Sequence, residues 1–331
     1  MTLTGTNLGP LGTPVVAAYG TPDRPSRYEV NTGCVVTVAH TEIQCRSLPG
    51  VGTSLFWRVR AGEQWSDSNV AVRTDYRRPV LLDAGGSGVE NGSTEGGQII
   101  TIAAREVGPR GGSAVGGAEP YVEYGRANAR GYLGVLCNVT VADAQVTCFT
   151  SPGTGRNHSV FARIEGQDSN ILAAGISYHP PIVTFFPETL DDGSSVPGAK
   201  RALTAGGQSV VVRGRNFGTQ LMGTLETVSY RREVPLGPDG QPVEAVTTFW
   251  ATGCNITQPH TEITCWTAQG AGADLRWTVV VDGQASVQPS TNYGPPEIRE
   301  LDGAARQMST DGGQRVPLTG VNFGPVSYTP L

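Results

Sequence analysis

The chain contains no run of eighteen apolar residues, so no segment of it is predicted to cross a membrane as a helix. Lysine is almost missing, because Lys200 is the only one and arginine supplies the other basic residues. These arginines are scattered along a chain of net charge −5, without the concentrated basic face of nucleic-acid-binding proteins. The sequence therefore predicts no membrane span within this chain and no nucleic-acid partner.

Motifs of catalysis and of phosphate binding are also missing. The chain has no His-Glu-x-x-His, no Gly-x-Ser-x-Gly and no Gly-Lys followed by Ser or Thr. Asp191-Asp192 lacks the series of ligands that a calcium loop needs. Solvated positions in turns, loops and junctions are expected for the four histidines, His40, His158, His179 and His260. The sequence predicts no catalytic residue, no cofactor and no metal site, and hence no enzyme.

What the chain does have is 45 glycines and 23 prolines, which separate short runs of Val, Ile and Thr. No long amphipathic helical pattern accompanies them. This texture is typical of all-β proteins built from sandwiches or barrels. A length of 331 residues exceeds one ordinary domain, so several small β domains are expected.

One element contains all six cysteines and occurs three times. Its two cysteines lie eleven positions apart, at Cys34 and Cys45, Cys137 and Cys148, and Cys254 and Cys265. If each copy is a β-hairpin with facing cysteines, then Val36 pairs with Ile43, Val139 with Val146, and Ile256 with Ile263. Two-residue turns remain at the tips, at Ala39-His40, Ala142-Asp143 and Pro259-His260. Side chains alternate along a strand, so the cysteines and these apolar pairs share one face.

Cysteines that face each other across a hairpin lie close enough to bond. Opposed residues have Cβ atoms about 4.5–5.5 Å apart, and a disulfide needs about 3.8 Å. Three pairs of buried free thiols are the alternative. Zinc fits less well, because each element offers two sulfurs and the tip histidine is Asp143 in the second copy. The recurrence favours three disulfides, 34–45, 137–148 and 254–265.

Four Asn-x-Ser/Thr sequons occur, at Asn91, Asn138, Asn157 and Asn255. Asn138 and Asn255 each follow the first cysteine of a hairpin, and the register turns both towards solvent. We therefore expect N-glycans, at these two positions above all. Residues 1–4 lack the charged and apolar regions of a signal peptide. The chain is thus expected to be an internal piece of a longer secreted or membrane-anchored protein, outside the cell or at its surface.

Three further signatures repeat in step with the hairpin. A Thr-x-Gly-Gly-Gln turn precedes a strand at Thr94, Thr204 and Thr310. A Gly-x-Asn-Phe/Leu-Gly loop follows at Gly5, Gly214 and Gly320, and the second repeat departs from this pattern at Arg105–Pro109. A Pro-led strand opens at Pro79, Pro181 and Pro296. After each hairpin an alternating strand carries Trp57, Ala162 or Trp277 at matching places, where core positions are predicted.

These signatures divide the chain into four pieces. Residues 78–179 and 180–294 are complete repeats, residues 1–77 lack the Pro-led strand, and residues 295–331 hold N-terminal strands only. About 100 residues with seven or so strands fit an immunoglobulin-like sandwich. The junctions that follow Tyr76, Tyr178 and Tyr293 are short and rich in proline. Stiff links of this kind predict a semi-rigid rod.

The ordered set of Pro-led strand, Gly-Gly-Gln strand, Gly-x-Asn-Phe-Gly loop and cysteine hairpin resembles IPT/TIG domains. The resemblance covers nearly the whole chain, in two complete and two partial copies. It implies immunoglobulin-like early-set β-sandwiches of the kind found in plexin and growth-factor-receptor ectodomains and in cell-surface and ciliary filament proteins. Nothing in the family motif is catalytic, so the resemblance supplies no site residue.

The function that these observations favour is a non-enzymatic structural or adhesive array. It would act as a spacer and docking segment of a long extracellular or ciliary-surface protein, with other proteins or further copies of itself as partners. A ligand-binding receptor ectodomain and an appendage of a carbohydrate-active enzyme are the alternatives. A receptor needs a membrane span and an intracellular domain, and an appendage needs a catalytic domain, both outside these residues.

Overall fold

The computed structural model of the chain is built from short β-strands. It describes residues 1–67, 72–110, 119–126, 131–233, 241, 246–286, 289–301 and 308–325. Contacts divide the chain into two compact units. The first comprises Met1–Gly92, Gly96–Ser151 and Asn157–Ser177, and the second Ser93–Glu95, Pro152–Arg156 and Tyr178–Leu331. The predicted class, all-β with tandem immunoglobulin-like sandwiches, is confirmed, whereas the four domain boundaries stay predictions.

The first sandwich belongs to the first unit. Its strands are β1 (Thr2–Thr4), β2 (Val15–Thr21), β3 (Arg24–Val30), β4 (Cys34–Val38), β5 (Glu42–Cys45), β6 (Leu55–Ala61), β7 (Gln64–Trp65) and β8 (Arg73–Thr74). One sheet has the order β1-β5-β4, and the other has the order β3-β2-β6-β7 with β8 also paired to β6. Tyr19 and Trp57 stack between the sheets with their rings 4.1 Å apart. Both disulfide cysteines of β4 and β5 face this core.

The second sandwich lies in the same unit. Its strands are β9 (Val80–Gly85), β10 (Ile99–Arg105), β11 (Tyr121–Gly125), β12 (Tyr132–Leu133), β13 (Val135–Val141), β14 (Gln145–Phe149), β15 (His158–Ile164), β16 (Gln167–Asp168) and β17 (Leu172–Ile176). The sheets have the orders β13-β14-β10-β9 and β12-β11-β15-β16, and β17 also pairs with β15. Ile100, Ile102 and Tyr124 are fully buried between them.

The third sandwich and a two-stranded sheet belong to the second unit. The sandwich contains β18 (Ile182–Phe185), β19 (Lys200–Ala202), β20 (Ser209–Arg215), a 3-10 helix (Gln220–Met222), β21 (Leu225–Arg232), β22 (Thr248–Trp250), β23 (Thr252–Gln258), β24 (Glu262–Trp266), β25 (Leu275–Val281), β26 (Gln284–Ala285) and β27 (Ser290–Tyr293). Its sheets have the orders β18-β20-β24-β23 and β19-β27-β25-β21-β22, with β26 paired to β25. The final sheet pairs β28 (Glu297–Leu301) with β29 (Leu318–Val321).

The tryptophan position of the alternating strand is a core position, as predicted. Trp57 is 4% exposed and Trp277 is fully buried. In the second sandwich the register places Val160 there, not Ala162, because Tyr124 pairs with Val160 as Tyr19 pairs with Trp57. The alternating pattern fits either assignment because Val160 and Ala162 lie on the same face of the strand.

A hydroxyl network links the two sheets at one end of the first sandwich. The Tyr19 and Tyr76 hydroxyls lie 2.8 Å apart, and Tyr76 donates to the Leu48 carbonyl at 2.6 Å. The Leu48 amide donates back to the Tyr19 hydroxyl at 2.9 Å. In the third sandwich the same three bonds join Tyr230, Tyr293 and Ala268, at 2.7, 2.8 and 2.9 Å. The tyrosine that closes each of these repeats is therefore tied to the core.

Candidate functional site: cysteine hairpins and repeat junctions

Each hairpin carries one disulfide. The bonds join Cys34 to Cys45, Cys137 to Cys148 and Cys254 to Cys265, with Cα atoms 4.1, 4.2 and 4.1 Å apart. The predicted facing pairs are present, with Val36 opposite Ile43, Val139 opposite Val146 and Ile256 opposite Ile263. Disulfides form and persist in oxidising compartments. Three of them indicate an extracellular or surface protein.

The hairpin tips have the predicted central turn residues, and the second of these has a positive φ in each hairpin. In the first hairpin the Thr41 amide donates to the Val38 carbonyl at 3.1 Å, and His40 has φ 66°. Asp143 (φ 58°) and His260 (φ 62°) hold the same place in the other two hairpins. A bulge between Val36 and Val38 precedes the first turn. Asn, Asp and His tolerate this left-handed conformation better than most residues, which explains why His and Asp alternate at the tip.

The tip is bound to the Asn-x-Gly loop of its own sandwich. The His40 amide donates to the Gly9 carbonyl at 2.6 Å, and the Leu8 amide donates to the His40 carbonyl at 3.1 Å. In the third sandwich His260 makes the same two bonds with Gly218 and Phe217, at 2.6 and 3.1 Å. In the second sandwich the Asp143 amide donates to the Gly108 carbonyl at 2.8 Å. The loop and the hairpin tip thus form one rigid end of each sandwich.

The second repeat keeps the loop conformation although its sequence departs from the pattern. Glu106 has φ 58° and stands where Asn7, Asn216 and Asn322 have φ 63°, 65° and 60°. The matching segment therefore begins at Ala104, one residue before the predicted start at Arg105. A glutamate in this conformation is unusual, since the left-handed region favours Gly, Asn and Asp.

The loop residue with positive φ also contacts the Pro-led link. The Asn216 side-chain amide donates to the Pro180 carbonyl at 2.9 Å, and that of Asn322 donates to the Pro295 carbonyl at 3.3 Å. In the second repeat an ion pair takes the place of this bond, with Arg77 Nη1 and Glu106 Oε1 3.3 Å apart. Each of these three links is therefore held by the loop of the repeat that follows it.

A buried glutamine connects the first two sandwiches within the first unit. Gln167 lies at the end of a tight turn, is 5% exposed, and donates from Nε2 to the Tyr76 carbonyl at 2.7 Å. Its Oε1 accepts a hydrogen bond from the Gly52 amide at 3.2 Å. One side chain thus satisfies a partly buried carbonyl and a buried amide of the neighbouring sandwich.

An ion pair lies beside this glutamine. Arg27 Nη1 is 2.7 Å from Glu165 Oε2, and the two side chains are 5% and 22% exposed. Burial has the largest single effect on the pKa of Arg27 and lowers it, but the hydrogen bond to Glu165 and the charges of Glu165 and the nearby tyrosines together raise the pKa above its ordinary value. Next to the pair, Val51 packs so close to Gly108 that a Cβ on the glycine would lie 2.3 Å from Val51 Cγ1. The first junction is therefore polar, buried and tightly packed.

The glutamine position recurs in all three sandwiches. Within the second unit Gln284 Nε2 donates to the Tyr178 carbonyl at 3.1 Å. Gln64 occupies the same place in the first sandwich, since it pairs with Ala61 as Gln167 pairs with Ile164. Gln64 is exposed.

All four sequon asparagines are exposed, at Asn91, Asn138, Asn157 and Asn255. Asn138 and Asn255 lie on the solvent face of their hairpins, as their register requires. Asn91 and Asn157 adopt positive φ in loops, at 51° and 58°. Exposure permits a glycan at each position, and glycosylation stays a prediction.

The histidines do not form a site. His40 and His179 are exposed, and His260 is half-buried with Nδ1 2.9 Å from the Thr94 hydroxyl. Burial lowers the pKa of His260. The prediction of a solvated His158 is wrong, because this residue is 1% exposed and its ring packs against Tyr132 at 5.3 Å. It begins the strand that follows the hairpin and fills core space there.

Metal ligands do not converge in the parts of the chain that the structure describes. Asp191 forms an ion pair with Arg213 at 3.2 Å, and Asp192 caps the Ser194 amide at 2.8 Å. Over the same residues, no helix has the length and apolar character of a membrane span. The recurring polar features of the chain are thus the hairpins and the junctions.

No protein-family model matches the chain, and no curated protein matches its sequence. Among solved structures, the Escherichia coli adhesin FdeC is 12% identical with a TM-score of 0.27, covering 88% of both chains. The plexin A4 extracellular region is 13% identical with a TM-score of 0.23, over 88% of this chain. SGBP-B, from a complex xyloglucan utilization locus in Bacteroides uniformis, is 11% identical with a TM-score of 0.23, over 68% of this chain. The chain spans 31% of the plexin A4 chain and 55% of SGBP-B. At such identities and scores these likenesses do not bear on function.

Proposed function

We propose that this chain is a non-enzymatic array of IPT/TIG-type sandwiches, which acts as a semi-rigid spacer and protein-docking segment of a long extracellular or ciliary-surface protein. The observation that carries the proposal is the buried junction of the first two sandwiches. There Gln167 bonds to Tyr76 and Gly52, and Glu165 pairs with Arg27. A spacer must transmit orientation from one module to the next, and buried polar bonds at a short link do so.

The same types of contact recur at later links, which supports an array whose sandwiches are joined in the same way. Gln284 reaches the Tyr178 carbonyl from the same turn position, and Asn216 and Asn322 hold their Pro-led links. Three disulfides add resistance to unfolding outside the cell. Docking would use exposed sheet edges and loops, with other proteins or further copies of the chain as partners.

Small-angle X-ray scattering of the intact chain tests the spacer. A compact globule of this length would have a radius of gyration of about 20 Å. We expect a value well above this, with a pair-distance distribution that has a long tail typical of an elongated particle. A radius near the compact value would overturn the proposal. The variant Gln167→Ala tests the source of the stiffness, because loosening the first junction should broaden the distribution.

A further inference from the structure

An exposed aromatic ring accompanies the sequon in two of the three hairpins. The residue after the second cysteine is Phe149 or Trp266, which are 36% and 49% exposed. The residue after the first cysteine is the sequon asparagine, Asn138 or Asn255. The first hairpin has neither feature, since Val35 and Arg46 occupy these two places. Within the three hairpins, ring and sequon therefore occur together or not at all.

The register places ring and asparagine on one face of the sheet. Asn255 pairs with Thr264, and Trp266 lies two residues further along the same strand. Residues two apart on a strand share a face, so Trp266 and Thr264 both lie outwards, as Asn255 does. Diagonal neighbours of this kind lie within reach of aromatic side chains.

The geometry at Asn255 brings the attachment atom close to the indole. A Cβ on Gly253 would lie 2.9 Å from Trp266 Cδ1, so the edge of the indole lies directly against Gly253. Asn255 Nδ2 donates to the Gly253 carbonyl at 3.2 Å. The nitrogen that would carry a sugar therefore sits beside the residue that the ring contacts.

Gln220 orients the amide of Asn255. Its Oε1 accepts from the Ile256 amide at 2.9 Å, and its Nε2 donates to Asn255 Oδ1 at 3.3 Å. The carbonyl oxygen of the asparagine is thus held towards Gln220, and the nitrogen towards Gly253 and the indole. A glycan on Asn255 would leave the strand in a fixed direction.

The second hairpin has the same backbone conformation and hydrogen bond before its sequon. Leu136 (φ 50°) takes the place of Gly253 (φ 58°), and the Asn138 side-chain amide donates to the Leu136 carbonyl at 3.4 Å. Val135, the residue before Leu136, pairs with Phe149. The same backbone conformation precedes both sequons.

We propose that Trp266 and Phe149 are platforms for the first N-acetylglucosamine of N-glycans on Asn255 and Asn138. The C–H bonds on one face of a pyranose ring pack on an aromatic face, which otherwise stays in water. The proposal rests on the extracellular function above. The proposal also gives each of these exposed rings a partner, the glycan attached to the same hairpin. The first hairpin has neither a sequon nor an aromatic ring at these two places.

The attachment step balances with a donor of known chemical class. A lipid-linked oligosaccharide diphosphate supplies the sugar. Asn255 Nδ2 forms a bond to sugar C1 while the bond from C1 to the diphosphate oxygen breaks. The electron pair of that bond leaves with the lipid diphosphate, which also takes up the proton that Nδ2 loses. The second N–H of the amide remains and can keep its hydrogen bond to Gly253.

Hydroxyl-radical footprinting with mass spectrometry tests the platform on the intact chain secreted from a eukaryotic cell. Three forms are compared: fully glycosylated, trimmed to a single N-acetylglucosamine by an endoglycosidase, and fully deglycosylated by an amidase. Trp266 is 49% exposed, and a sugar packed on its open face would cover most of this remaining surface, so oxidation of Trp266 should be at least about twofold slower in the first two forms. Trp65, which is 39% exposed and lies in the first sandwich, is the internal reference and should oxidise equally in all three.

Two variants at the third sequon position complete the test. Thr257→Ser keeps the sequon, so Trp266 should still oxidise slowly. Thr257→Ala abolishes the sequon, so Trp266 should oxidise as fast as in the fully deglycosylated form. An occupied Asn255 with an unchanged Trp266 rate would overturn the platform alone. A bare Asn255 in the secreted protein would overturn the glycan itself, and the spacer function would still stand or fall by scattering.

Discussion

Gln167 Nε2 donates a hydrogen bond of 2.7 Å to the Tyr76 carbonyl, which lies 91 residues earlier in the chain and in the preceding sandwich. Tyr76 is the residue that closes the first repeat, and its hydroxyl is bonded to the Leu48 carbonyl. The same residue is therefore fixed to its own core by its side chain and to the next sandwich by its backbone. Through Tyr76, the hydrogen bond of Gln167 therefore connects the second sandwich to the core of the first.

The substitution Gln167→Ala should loosen the first junction. It leaves the Gly52 amide and the Tyr76 carbonyl without their partner, and an unsatisfied buried group costs about 1–3 kcal/mol. We expect the Gly52 amide to exchange with solvent at least about tenfold faster, which corresponds to about 1.4 kcal/mol, in hydrogen-exchange mass spectrometry. Gln64→Ala removes the exposed glutamine from the matching turn and should change nothing. Equal effects of the two variants would contradict the role of Gln167.

Removing Glu165 should destabilise the first unit through Arg27. The arginine side chain is 5% exposed, and its pair distance to Glu165 is 2.7 Å. Loss of one partner of a buried ion pair costs about 3–5 kcal/mol, because the other charge stays buried. Glu165→Ala should therefore lower the thermal unfolding temperature clearly. Asp168→Ala is the matched control, since the Arg163–Asp168 pair is 47% and 49% exposed and such pairs contribute about 0–1 kcal/mol.

Glu106 offers a stabilising substitution. Its φ of 58° costs a residue with an ordinary side chain about 1–2 kcal/mol, whereas Asn adopts this region readily. The ion pair with Arg77 is largely exposed and contributes about 0–1 kcal/mol. Glu106→Asn should thus raise the free energy of unfolding by about 0.5–1 kcal/mol in urea denaturation. The reverse exchange, Asn216→Glu, should lower it, and a loss of stability in both variants would exclude backbone strain as the cause.

The hairpins could be predicted from the sequence because their signal is local. A period of two, cysteines at both ends and a turn pair in the middle fix the register of Val36 with Ile43. The sandwich class follows from the recurrence of such short strands. The sequence pattern assigns Ala162 to the tryptophan position, which Val160 occupies in the structure. This error of two residues also has a local cause, since both residues lie on the core-facing side of the strand.

The junction contacts could not be predicted in the same way. In the sequence Gln167 looks like an ordinary turn residue. Its bond to the Tyr76 carbonyl exists only because two sandwiches pack side by side. The ring of the buried His158 packs against Tyr132, and this contact joins two strands of one sheet that are far apart in the sequence. Intrinsic conformational preference does not predict the positive φ of Glu106, which lies in the loop that the Asp143 amide bonds at Gly108. Long-range packing decides all three positions.

The cysteine pairs should be oxidised and should stabilise their sandwiches. A disulfide that closes a loop as short as these hairpins contributes roughly 3 kcal/mol to the free energy of unfolding. The double variant Cys254→Ala with Cys265→Ala should lower the free energy of unfolding of the second unit by about this amount, because its disulfide closes a loop with a separation of 11 residues. Non-reducing peptide mapping of natively purified protein should yield the links 34–45, 137–148 and 254–265. Free thiols in that map would contradict an oxidising location.

Stability should fall at alkaline pH because of the buried tyrosines. Burial raises the pKa of Tyr76 above its ordinary value of 10.0, and the hydrogen bond with Tyr19 raises it further. Burial and the bond with Tyr230 do the same for Tyr293. Above pH 10 the unfolded chain loses a proton that the folded chain keeps, so this stability is complete below about pH 10 and is lost as the pH rises further.

Tyr76→Phe separates this effect from general alkaline unfolding. At pH 8 the variant should be less stable by about 1 kcal/mol, because the Leu48 carbonyl loses a hydrogen bond. Between pH 9 and pH 11 it should lose less stability than the unmodified chain, since one titrating hydroxyl is gone. Tyr293→Phe should behave alike in the second unit. Urea denaturation at several pH values measures both slopes, and identical slopes in variant and unmodified chain would show that these hydroxyls do not titrate on unfolding.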